Sequence, residues 1–452
     1  MNVLRLFVRE RYFYQRFFSL TGAIALQNVI IFSVNLADNI MLGAFQETSL
    51  SGVALVNQIQ FLLQMLIMGI GEGMIILASR HWGRRETEPI GEIISVGLRL
   101  AIGVGFSMWA VTFFFPHWCL SLFTKDEAVI AEGVKYLRII CFSYLFFSMT
   151  NALLAILRSV ETVRIAFLVS FSTLVVNVCL NYVLIFGNFG APRLGARGAA
   201  IATLTARIIE FAIVFIYLKC CDRKLLLKMK AFLQFNKAVF RRFLSVGIPV
   251  ILANAQWGVA MGIQTGILGH MGGDAIAANS IATTVFQILT VITYGSASAS
   301  SVLIGKTIGE GRLDQMKHYA KTMQALYLAI GAVTGIALFF AKDFIISFYA
   351  VSESTKALAL QFMTVLSITV VGTAYQMPCL TGIVRGGGDT SFVLYNDLIF
   401  MWMIVLPASA LSAFVFHFSP VTVFICLKMD QILKCFVAVV RVNRYRWLQY
   451  ID

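Results

Sequence analysis

Uncharged, largely apolar runs of about 20 residues recur from one end of this chain to the other. An α-helix needs about that many residues to cross the hydrocarbon core of a bilayer. We therefore predict an all-α integral membrane protein. The charge-free runs, and the glycines and prolines between them, predict twelve transmembrane helices, near 17–41, 52–79, 92–115, 131–156, 163–186, 196–218, 244–269, 276–304, 322–341, 357–384, 393–414 and 421–440.

The composition excludes several other classes of protein. Only 13% of the 452 residues are charged, whereas about a quarter are charged in a soluble protein. The basic first residues run into the first span without a small-residue cleavage site, which predicts an uncleaved anchor rather than a signal peptide. The eight cysteines lie mostly in apolar runs and lack metal-site or disulfide spacing, so we expect no cofactor and no disulfide framework.

The distribution of Lys and Arg predicts the orientation. If the N-terminus is cytoplasmic, 25 of the 36 Lys and Arg residues fall in cytoplasmic segments and five in external loops. This asymmetry is typical of inner-membrane proteins and predicts a plasma (inner) membrane location with cytoplasmic N- and C-termini. It also accounts for the net charge of +14 without nucleic acid as a partner.

The chain reads as two similar halves. A basic stretch at 219–243 predicts a cytoplasmic linker between an N-terminal lobe at 1–218 and a C-terminal lobe at 244–452, each with six spans. Two six-span repeats share one orientation, so the two lobes are pseudo-symmetric about an axis along the membrane normal, which is a transporter architecture. Residues of the two halves match at a constant offset of 226: Arg16/Arg242, Phe17/Phe243, Ser19/Ser245, Asn28/Asn254, Gly43/Gly269, Gly69/Gly295, Gly83/Gly309 and Gly105/Gly331.

Polar side chains interrupt the first and fifth spans. Asn28, Asn35 and Asp38 share one helical face, and a carboxylate within a span is a functional candidate because it is costly in lipid. Asn177 and Asn181, four residues apart in the outer half of span five, share a face at a similar depth to Asp38. These groups predict either one small polar site or, for the two Asn, interhelical hydrogen bonds that hold helices together.

Short motifs in both halves resemble those of the MATE family, the multidrug and toxic compound extrusion antiporters, over essentially the whole chain. The resemblance implies export of amphipathic, often cationic compounds, driven by inward flow of H⁺ or Na⁺. The motifs are Leu26-Gln27-Asn28, Ala37-Asp38-Asn39-Ile40-Met41-Leu42-Gly43, Trp82-Gly83, Val176-Asn177, Asn181-Tyr182, Leu194-Gly195-Ala196-Arg197-Gly198-Ala199, Gly247-Ile248-Pro249, Ile308-Gly309-Glu310-Gly311 and Arg385-Gly386-Gly387-Gly388-Asp389-Thr390.

The resemblance places the family's span-one Asp on Asp38 and its span-five polar pair on Asn177 and Asn181. Several members carry Asp where this chain has Asn181, and an acidic residue in span seven has no counterpart near Gln256. We expect Asp38 to bind a proton or Na⁺, with the Asn177 carbonyl assisting, in competition with the drug. The repeat equivalent of Asp38 is Gln264, which cannot titrate, so the coupling is predicted in the N-terminal half alone, with no metal beyond that Na⁺.

Further candidates follow from helical phase. Glu72 and Asp389 are secondary acidic sites, although Asp389 also fits a turn and a helix N-cap. Arg207 and Glu210 are expected to pair across one helical turn. Lys428, Asp430 and Lys434 could form a buried charge cluster. The predicted substrate cavity comprises Asn28, Asn35, Gln58, Asn254, Gln256, Trp257, Gln264, Asn279 and Tyr375.

These features predict a secondary active multidrug efflux transporter, expected as a monomer in contact with membrane lipids and small organic substrates. The alternative is a flippase for a lipid-linked oligosaccharide of the wider superfamily, but that class usually has a cationic central cavity, and the residues predicted here are polar or acidic. An enzyme is not expected. The five histidines are scattered, and no metal spacing, phosphate loop or nucleophile elbow appears.

Overall fold

The computed structural model describes residues 8, 10–222, 224–225, 236–349 and 351–448. Part of the predicted linker at 219–243 therefore lies outside the described residues. Helices and short turns make up the described ranges, and the one strand-like pairing in them is an isolated bridge between Gly388 and Leu448.

Sixteen α-helices follow one another in these ranges. The first eight are α1 (Arg11–Phe45), α2 (Glu47–Gly83), α3 (Thr87–Phe114), α4 (Pro116–Ser121), α5 (Glu127–Ile140), α6 (Ser143–Ser159), α7 (Arg164–Phe186) and α8 (Ala196–Ile216). The other eight are α9 (Lys237–Gly269), α10 (Gly273–Gly309), α11 (Leu313–Ser347), α12 (Glu353–Met377), α13 (Thr390–Leu398), α14 (Leu406–Ala410), α15 (Pro420–Lys428) and α16 (Asp430–Asn443). A 3₁₀ turn and π-helical stretches continue or link some of them: Asn188–Gly190, Tyr217–Cys221, Pro378–Val384, Ile399–Val405 and Leu411–Val415.

All twelve predicted spans fall on these helices, so the all-α prediction is confirmed. Ten helical segments are long and apolar enough to cross a membrane as single units. The fourth predicted span is a pair, α5 and α6, bent by 55° at a short break. The twelfth is also a pair, α15 and α16, divided at Met429 and flanked there by charged residues.

The contacts divide the described residues into two compact units. One unit is Leu26–Asn254, and the other combines the described residues up to Ala25 with those from Ala255 onward. The division passes through α1 and α9. The lobes predicted at 1–218 and 244–452 stay a prediction.

In the Leu26–Asn254 unit, a glycine sets the approach of α8 to α7. A Cβ on Gly198 would lie 2.5 Å from the backbone oxygen of Leu184. Helices in lipid associate through such close packing at small residues, because no hydrophobic effect drives them together there. The packing places the polar faces of α7 and α8 against each other.

In the other unit, the core combines residues of α9, α10, α11, α12 and α15 with residues of the segment at 401–413. Phe362 of α12 stacks on Phe424 of α15, with the ring centroids 4.1 Å apart and the planes nearly parallel. A Cβ on Gly335 of α11 would lie 2.5 Å from the Ser367 backbone oxygen of α12. The stacked rings hold α15 against α12, and the close contact at Gly335 holds α11 against α12.

Candidate ion-binding site

Three predicted residues meet at one point in the Leu26–Asn254 unit. Asn181 Nδ2 donates a hydrogen bond to Asp38 Oδ1 over 2.5 Å, linking α7 to α1. The same nitrogen donates to Asn177 Oδ1 over 3.0 Å. Asn177 is 1% exposed and Asn181 is fully buried, whereas Asp38 is only partly buried. The amides therefore form the wall of the site, and the carboxylate lies at its edge.

A fourth polar residue, Thr203 of α8, completes this chain of hydrogen bonds and was missed by the sequence analysis. Its hydroxyl accepts a hydrogen bond from Asn177 Nδ2 over 3.1 Å. A helical threonine usually bonds to a carbonyl of its own helix, as Thr205 does with the Ile201 backbone oxygen over 2.8 Å. The sequence does contain one indication that Thr203 belongs to the site: Thr203 lies four residues before Arg207, on the helical face that carries the predicted Arg207–Glu210 pair.

That ion pair is present next to the site. Arg207 Nη1 lies 2.8 Å from Glu210 Oε2, which confirms the prediction. The Arg207 guanidinium also lies over the Phe147 ring, 5.0 Å from its centroid, and is near enough to Asp38 for their charges to interact. The phenol of Tyr136, 3% exposed, lies close to Asp38 and Thr203. Asp38 thus lies near the positive charge of Arg207, and Glu210 compensates that charge.

One acceptor in this site is unsatisfied. Asn181 Oδ1 is buried, and it has no hydrogen-bond partner among the described residues. A buried polar atom without a partner is rare, because its desolvation is not compensated. The same hydrogen-bonded cluster contains oxygens of Asp38, Asn177 and Thr203. Carboxylate, amide and hydroxyl oxygens are the ligands that hard cations prefer, and a carboxylate also binds a proton.

The other predicted cavity residues of this unit lie apart from that network. Asn254 Nδ2 donates to Glu72 Oε2 over 3.3 Å, so a cavity candidate and a secondary acidic candidate contact each other. Asn28 is partly buried, and Asn35 and Gln58 are exposed. The predicted common face of α1 therefore contributes one residue, Asp38, to the hydrogen-bonded site.

In the other unit, two glutamines of α9 contact the π-helical stretch that follows α13. Gln256 Oε1 accepts a hydrogen bond from Trp402 Nε1 over 2.9 Å. Gln264 is buried, and its Nε2 donates to Met401 Sδ over 3.3 Å. Gln264, the repeat equivalent of Asp38, therefore has a thioether as its partner where Asp38 has an amide.

The remaining cavity candidates of this unit are spread over three helices. Tyr375 of α12 is buried and donates its hydroxyl to Gln324 Oε1 over 2.8 Å, which makes it part of a helix–helix contact. Asn279 of α10 lines a small cleft that also contains Gln264. Trp257 is partly buried and packs against the apolar core. Their substrate-binding role stays a prediction.

Asp389 requires a correction. It occupies the N-cap position of α13, but its carboxylate makes no capping hydrogen bond. Instead it accepts hydrogen bonds from Arg441 of α16, from Nε over 3.0 Å and from Nη2. The Arg441 guanidinium also lies over the Phe392 ring, 4.1 Å from its centroid. The predicted N-cap position is therefore confirmed, but the carboxylate is held by an interhelical ion pair and not by a capping hydrogen bond.

The predicted cluster at 428–434 also differs in membership. Lys434 Nζ lies 2.9 Å from Asp397 Oδ1 and 3.3 Å from Asp430 Oδ2, so one lysine pairs with two carboxylates. Asp397, on α13, was not predicted. Lys428 makes no ion pair within the described ranges, and its ammonium lies between aromatic rings.

Comparison with known proteins assigns the chain to a family. The MatE family model matches residues 23–183 and 249–411, well over half of the chain. The chain is 24% identical over 437 residues to the "Uncharacterized transporter YisQ" of Bacillus subtilis, covering 96% of this chain and 94% of that protein. It is 24% identical over 434 residues to the "Probable multidrug resistance protein NorM" of Listeria monocytogenes, covering 95% and 94%.

A solved structure has the same fold. A variant of the MATE transporter VcmN from Vibrio cholerae superposes with a TM-score of 0.88 at 16% sequence identity, covering 97% of this chain and 99% of that one. The superposition thus covers nearly the whole length of both chains. The chain is therefore a multi-span membrane transporter of the MatE family.

Proposed function

We propose that this protein is a secondary active multidrug efflux transporter, which exports amphipathic, often cationic, organic compounds in exchange for H⁺ or Na⁺. Membership of a transporter family and the similarity to a relative named as a multidrug resistance protein support the export of organic compounds. The contacts of Asp38 support the ion coupling. Transport of this kind involves no covalent chemistry and no cofactor besides the coupling ion.

One observation carries the coupling role: Asp38 is hydrogen-bonded to Asn181, whose own Oδ1 is buried without a partner in the described structure. An arriving H⁺ would bind the carboxylate and convert it into a donor for a neighbouring oxygen. An arriving Na⁺ would instead be held by the carboxylate together with the amide and hydroxyl oxygens. Either ion neutralises a charge that is costly within a membrane.

The chain of hydrogen bonds links a change of charge on Asp38 to helices α7 and α8. Asp38 on α1 is joined through Asn181 and Asn177 on α7 to Thr203 on α8. When the carboxylate changes charge, the amide that donates to it must weaken or reorient its hydrogen bond, because an ionised acceptor binds a donor more strongly than a neutral one. The position of α1 relative to α7 then depends on ion occupancy. This dependence is how ion entry would favour drug release.

We further propose that the protein acts as a monomer in the plasma membrane, in contact with lipids and with both termini cytoplasmic. The excess of Lys and Arg in the predicted cytoplasmic segments supports this orientation.

The test is efflux of a fluorescent cationic dye from proteoliposomes, under a pure ΔpH and separately under a pure Na⁺ gradient. Wild type is compared with Asp38→Asn, which keeps the hydrogen-bonding shape but cannot ionise. Glu127→Gln is the control, because this exposed acid on α5 pairs with His117 near the surface, away from Asp38. We expect one gradient to drive efflux in wild type and control, and Asp38→Asn to abolish that response.

Two results would contradict the proposal. Full gradient-driven efflux by Asp38→Asn would remove Asp38 from coupling. No dye movement under either gradient would favour the flippase alternative with a lipid-linked substrate.

A further inference from the structure

An open, apolar groove of about 760 Å³ lies between α11, α12 and α16, which all belong to one unit. Its floor is α12, and both neighbouring helices approach α12 closely at glycines. A Cβ on Gly335 of α11 would lie 2.5 Å from the Ser367 backbone oxygen of α12. A Cβ on Gly372 of α12 would meet the Gln431 backbone oxygen of α16. Because the backbones are this close, the larger side chains of α11 and α16 form walls on either side of the floor.

The groove has the length of one membrane leaflet. Its α11 wall follows one helical face from Leu328 to Phe340. That stretch of helix rises about 18 Å, and one leaflet is about half of a hydrocarbon core that is about 30 Å thick. The wall is apolar but not covered, since Ile336 is 60% exposed and Phe340 is 78% exposed. Because α11 is long and apolar enough to cross the membrane, the groove lies at the depth of lipid hydrocarbon.

A lysine lies at one end of this groove. Lys342 Nζ lies 4.4 Å from the ring centroid of Phe339, which lines the groove. The same ammonium donates a hydrogen bond to Thr364 Oγ1 of α12 over 2.8 Å. An ammonium has three donors, so one bond to a neutral hydroxyl leaves it able to bind an anion. In the described ranges Lys342 makes no ion pair, whereas the next lysine, Lys356, lies 2.9 Å from Glu353.

The position of Lys342 in the chain indicates which leaflet the groove faces. Lys342 directly follows the ninth predicted span, 322–341, which runs outward in the orientation predicted from the Lys and Arg distribution. Lysines at the ends of spans place their charge at the headgroup level, with apolar surface beneath it. The groove and its lysine therefore present a positive charge at the external interface and an apolar channel below that charge.

This arrangement distinguishes among possible occupants. Specific small-molecule pockets contain polar groups among their apolar walls, whereas the two hydroxyls of this groove, on Ser367 and Tyr375, already donate to protein acceptors. A cationic compound would be repelled by Lys342. A helix of a second copy is about 10 Å across, so an 18 Å length of it would fill about 1,400 Å³, nearly twice the groove. A flexible hydrocarbon chain below an anionic group fits both the shape and the charge.

We propose that the groove binds one anionic phospholipid of the external leaflet. An acyl chain lies along α11 from Phe340 toward Leu328, and the phosphate binds the Lys342 ammonium. Basic groups at the membrane surface recognise anionic headgroups in this way. The lipid contacts α11 and α16 together and covers the apolar walls that these helices leave exposed. The inference is independent of the proposed ion coupling, because Asp38 and its partners belong to the other unit.

The test is native mass spectrometry of the full-length protein in detergent, which counts bound lipids during a titration. The probes are palmitoyl-oleoyl phosphatidylglycerol and phosphatidylcholine, which share their chains but differ in headgroup charge. Lys342→Met removes the charge, and Lys356→Met is its control because that external lysine already has an acidic partner. Ala332→Phe fills the groove, and Val333→Phe is its control, since the adjacent Val333 is 68% exposed but does not line the groove.

We expect the first phosphatidylglycerol to bind wild type about fivefold more tightly than phosphatidylcholine, the ratio expected for one lysine at a membrane surface. Lys342→Met should remove that preference by weakening phosphatidylglycerol alone. Ala332→Phe should weaken both lipids by about tenfold or more, because the displacement of two methylene groups already has an effect of this size. Both controls should change either affinity by less than about twofold. Size-exclusion and thermal-unfolding profiles that match wild type show that each variant is folded.

Three results would overturn the proposal. Equal affinity of wild type for the two lipids would exclude recognition of the headgroup charge. Equal weakening by Ala332→Phe and Val333→Phe would mean that lipid coats α11 without entering the groove. Dimers that Ala332→Phe dissociates would assign the groove to a second copy of the chain. Efflux of the cationic dye rhodamine 123 by wild type is measured separately, so the lipid site and the proposed function can fail independently.

Discussion

Removing a single hydroxyl from α8 should weaken ion coupling without removing any charge. Thr203 accepts the hydrogen bond from Asn177 Nδ2 that ends the chain leading from Asp38. Thr203→Val keeps the branched shape of the side chain but cannot accept that bond. Asn177 is 1% exposed, so its amide nitrogen finds no water in place of the lost partner.

The size of the effect follows from that burial. A buried donor left without a partner costs about 1–3 kcal/mol. Asn177 can relieve the cost by rotating, but it then gives up the 3.0 Å hydrogen bond from Asn181, which also holds Asp38. We therefore expect the penalty to fall on ion binding, with a half-saturating ion concentration raised about 5- to 150-fold, the ratio that corresponds to about 1–3 kcal/mol.

The assay measures dye efflux from proteoliposomes against the concentration of the coupling ion, once that ion is identified. Thr205→Val is the matched control, because Thr205 lies two residues away on the same helix and donates its hydroxyl to the Ile201 backbone oxygen of that helix. The control should shift the half-saturating concentration by less than about twofold, as expected when a hydrogen bond within one helix is lost and no buried partner is stranded. Binding of rhodamine 123 in the absence of an ion gradient should be the same in both variants.

If Thr203→Val and Thr205→Val gave the same ion dependence, the hydrogen-bond chain would have no part in coupling. If Thr203→Val instead lowered dye binding and ion binding together, the hydroxyl would act through the general stability of the unit. Either result would refute the reasoning from Asn177.

Two further predictions concern stability and are checked by thermal unfolding in detergent. Gly198→Ala should destabilise the protein by about 1–3 kcal/mol through overpacking against the Leu184 backbone, whereas Gly103→Ala, with open space at its Cβ, should be neutral or stabilise by up to about 1 kcal/mol. Equal effects would mean that α7 and α8 are not held at close approach. Lys434→Met should cost about 3–5 kcal/mol, because it removes the ion-pair partner of the buried Asp430 and of the partly buried Asp397, whereas Lys356→Met breaks a surface pair worth about 1 kcal/mol or less. A Lys434 variant as stable as the Lys356 variant would show that its acids do not need it.

Much of the fold could be predicted because lipid imposes a simple rule on the sequence. Each crossing must largely exclude charge for about 20 residues, and ten of the twelve predicted spans are helical segments that meet this condition as single units. The bend of 55° between α5 and α6 could not be predicted in this way. It falls near Cys141 and Phe142, where no proline or glycine marks a break. Its cause lies in packing against other helices, which helical periodicity does not report.

The site was predictable only where chemistry made a residue unusual in a span. Asp38 and the two Asn stand out because carboxylates and amides are rare in lipid. Thr203 does not stand out, since a threonine can satisfy itself within its own helix. Asp397 was missed because its partner Lys434 is 37 residues away on another helix, and sequence spacing reveals only pairs within one helix. A polar contact between distant helices was thus predictable only where both partners are unusual within a span, as Asp38 and Asn181 are.

The two halves offer a way to ask whether an acid alone is enough for coupling. In Asp38→Asn combined with Gln264→Asp, the carboxylate moves to the equivalent position of the other half. There its neighbours are the Met401 thioether and a small cleft that is also lined by Asn279 and Lys428. Lys428 would pair with the new carboxylate and hold it in its charged form, so we expect no gradient-driven efflux.

Adding Lys428→Met to that double variant removes the competing ammonium but does not recreate the hydrogen-bond chain from Asn181 to Thr203. The triple variant should therefore also fail to couple, although the new acid can then bind a proton. Dye efflux under both gradients, with Asp38→Asn alone as the reference, provides the measurement. Restored efflux in either variant would show that a titratable group at the repeat position suffices, and that the hydrogen-bond chain from Asn181 to Thr203 is dispensable.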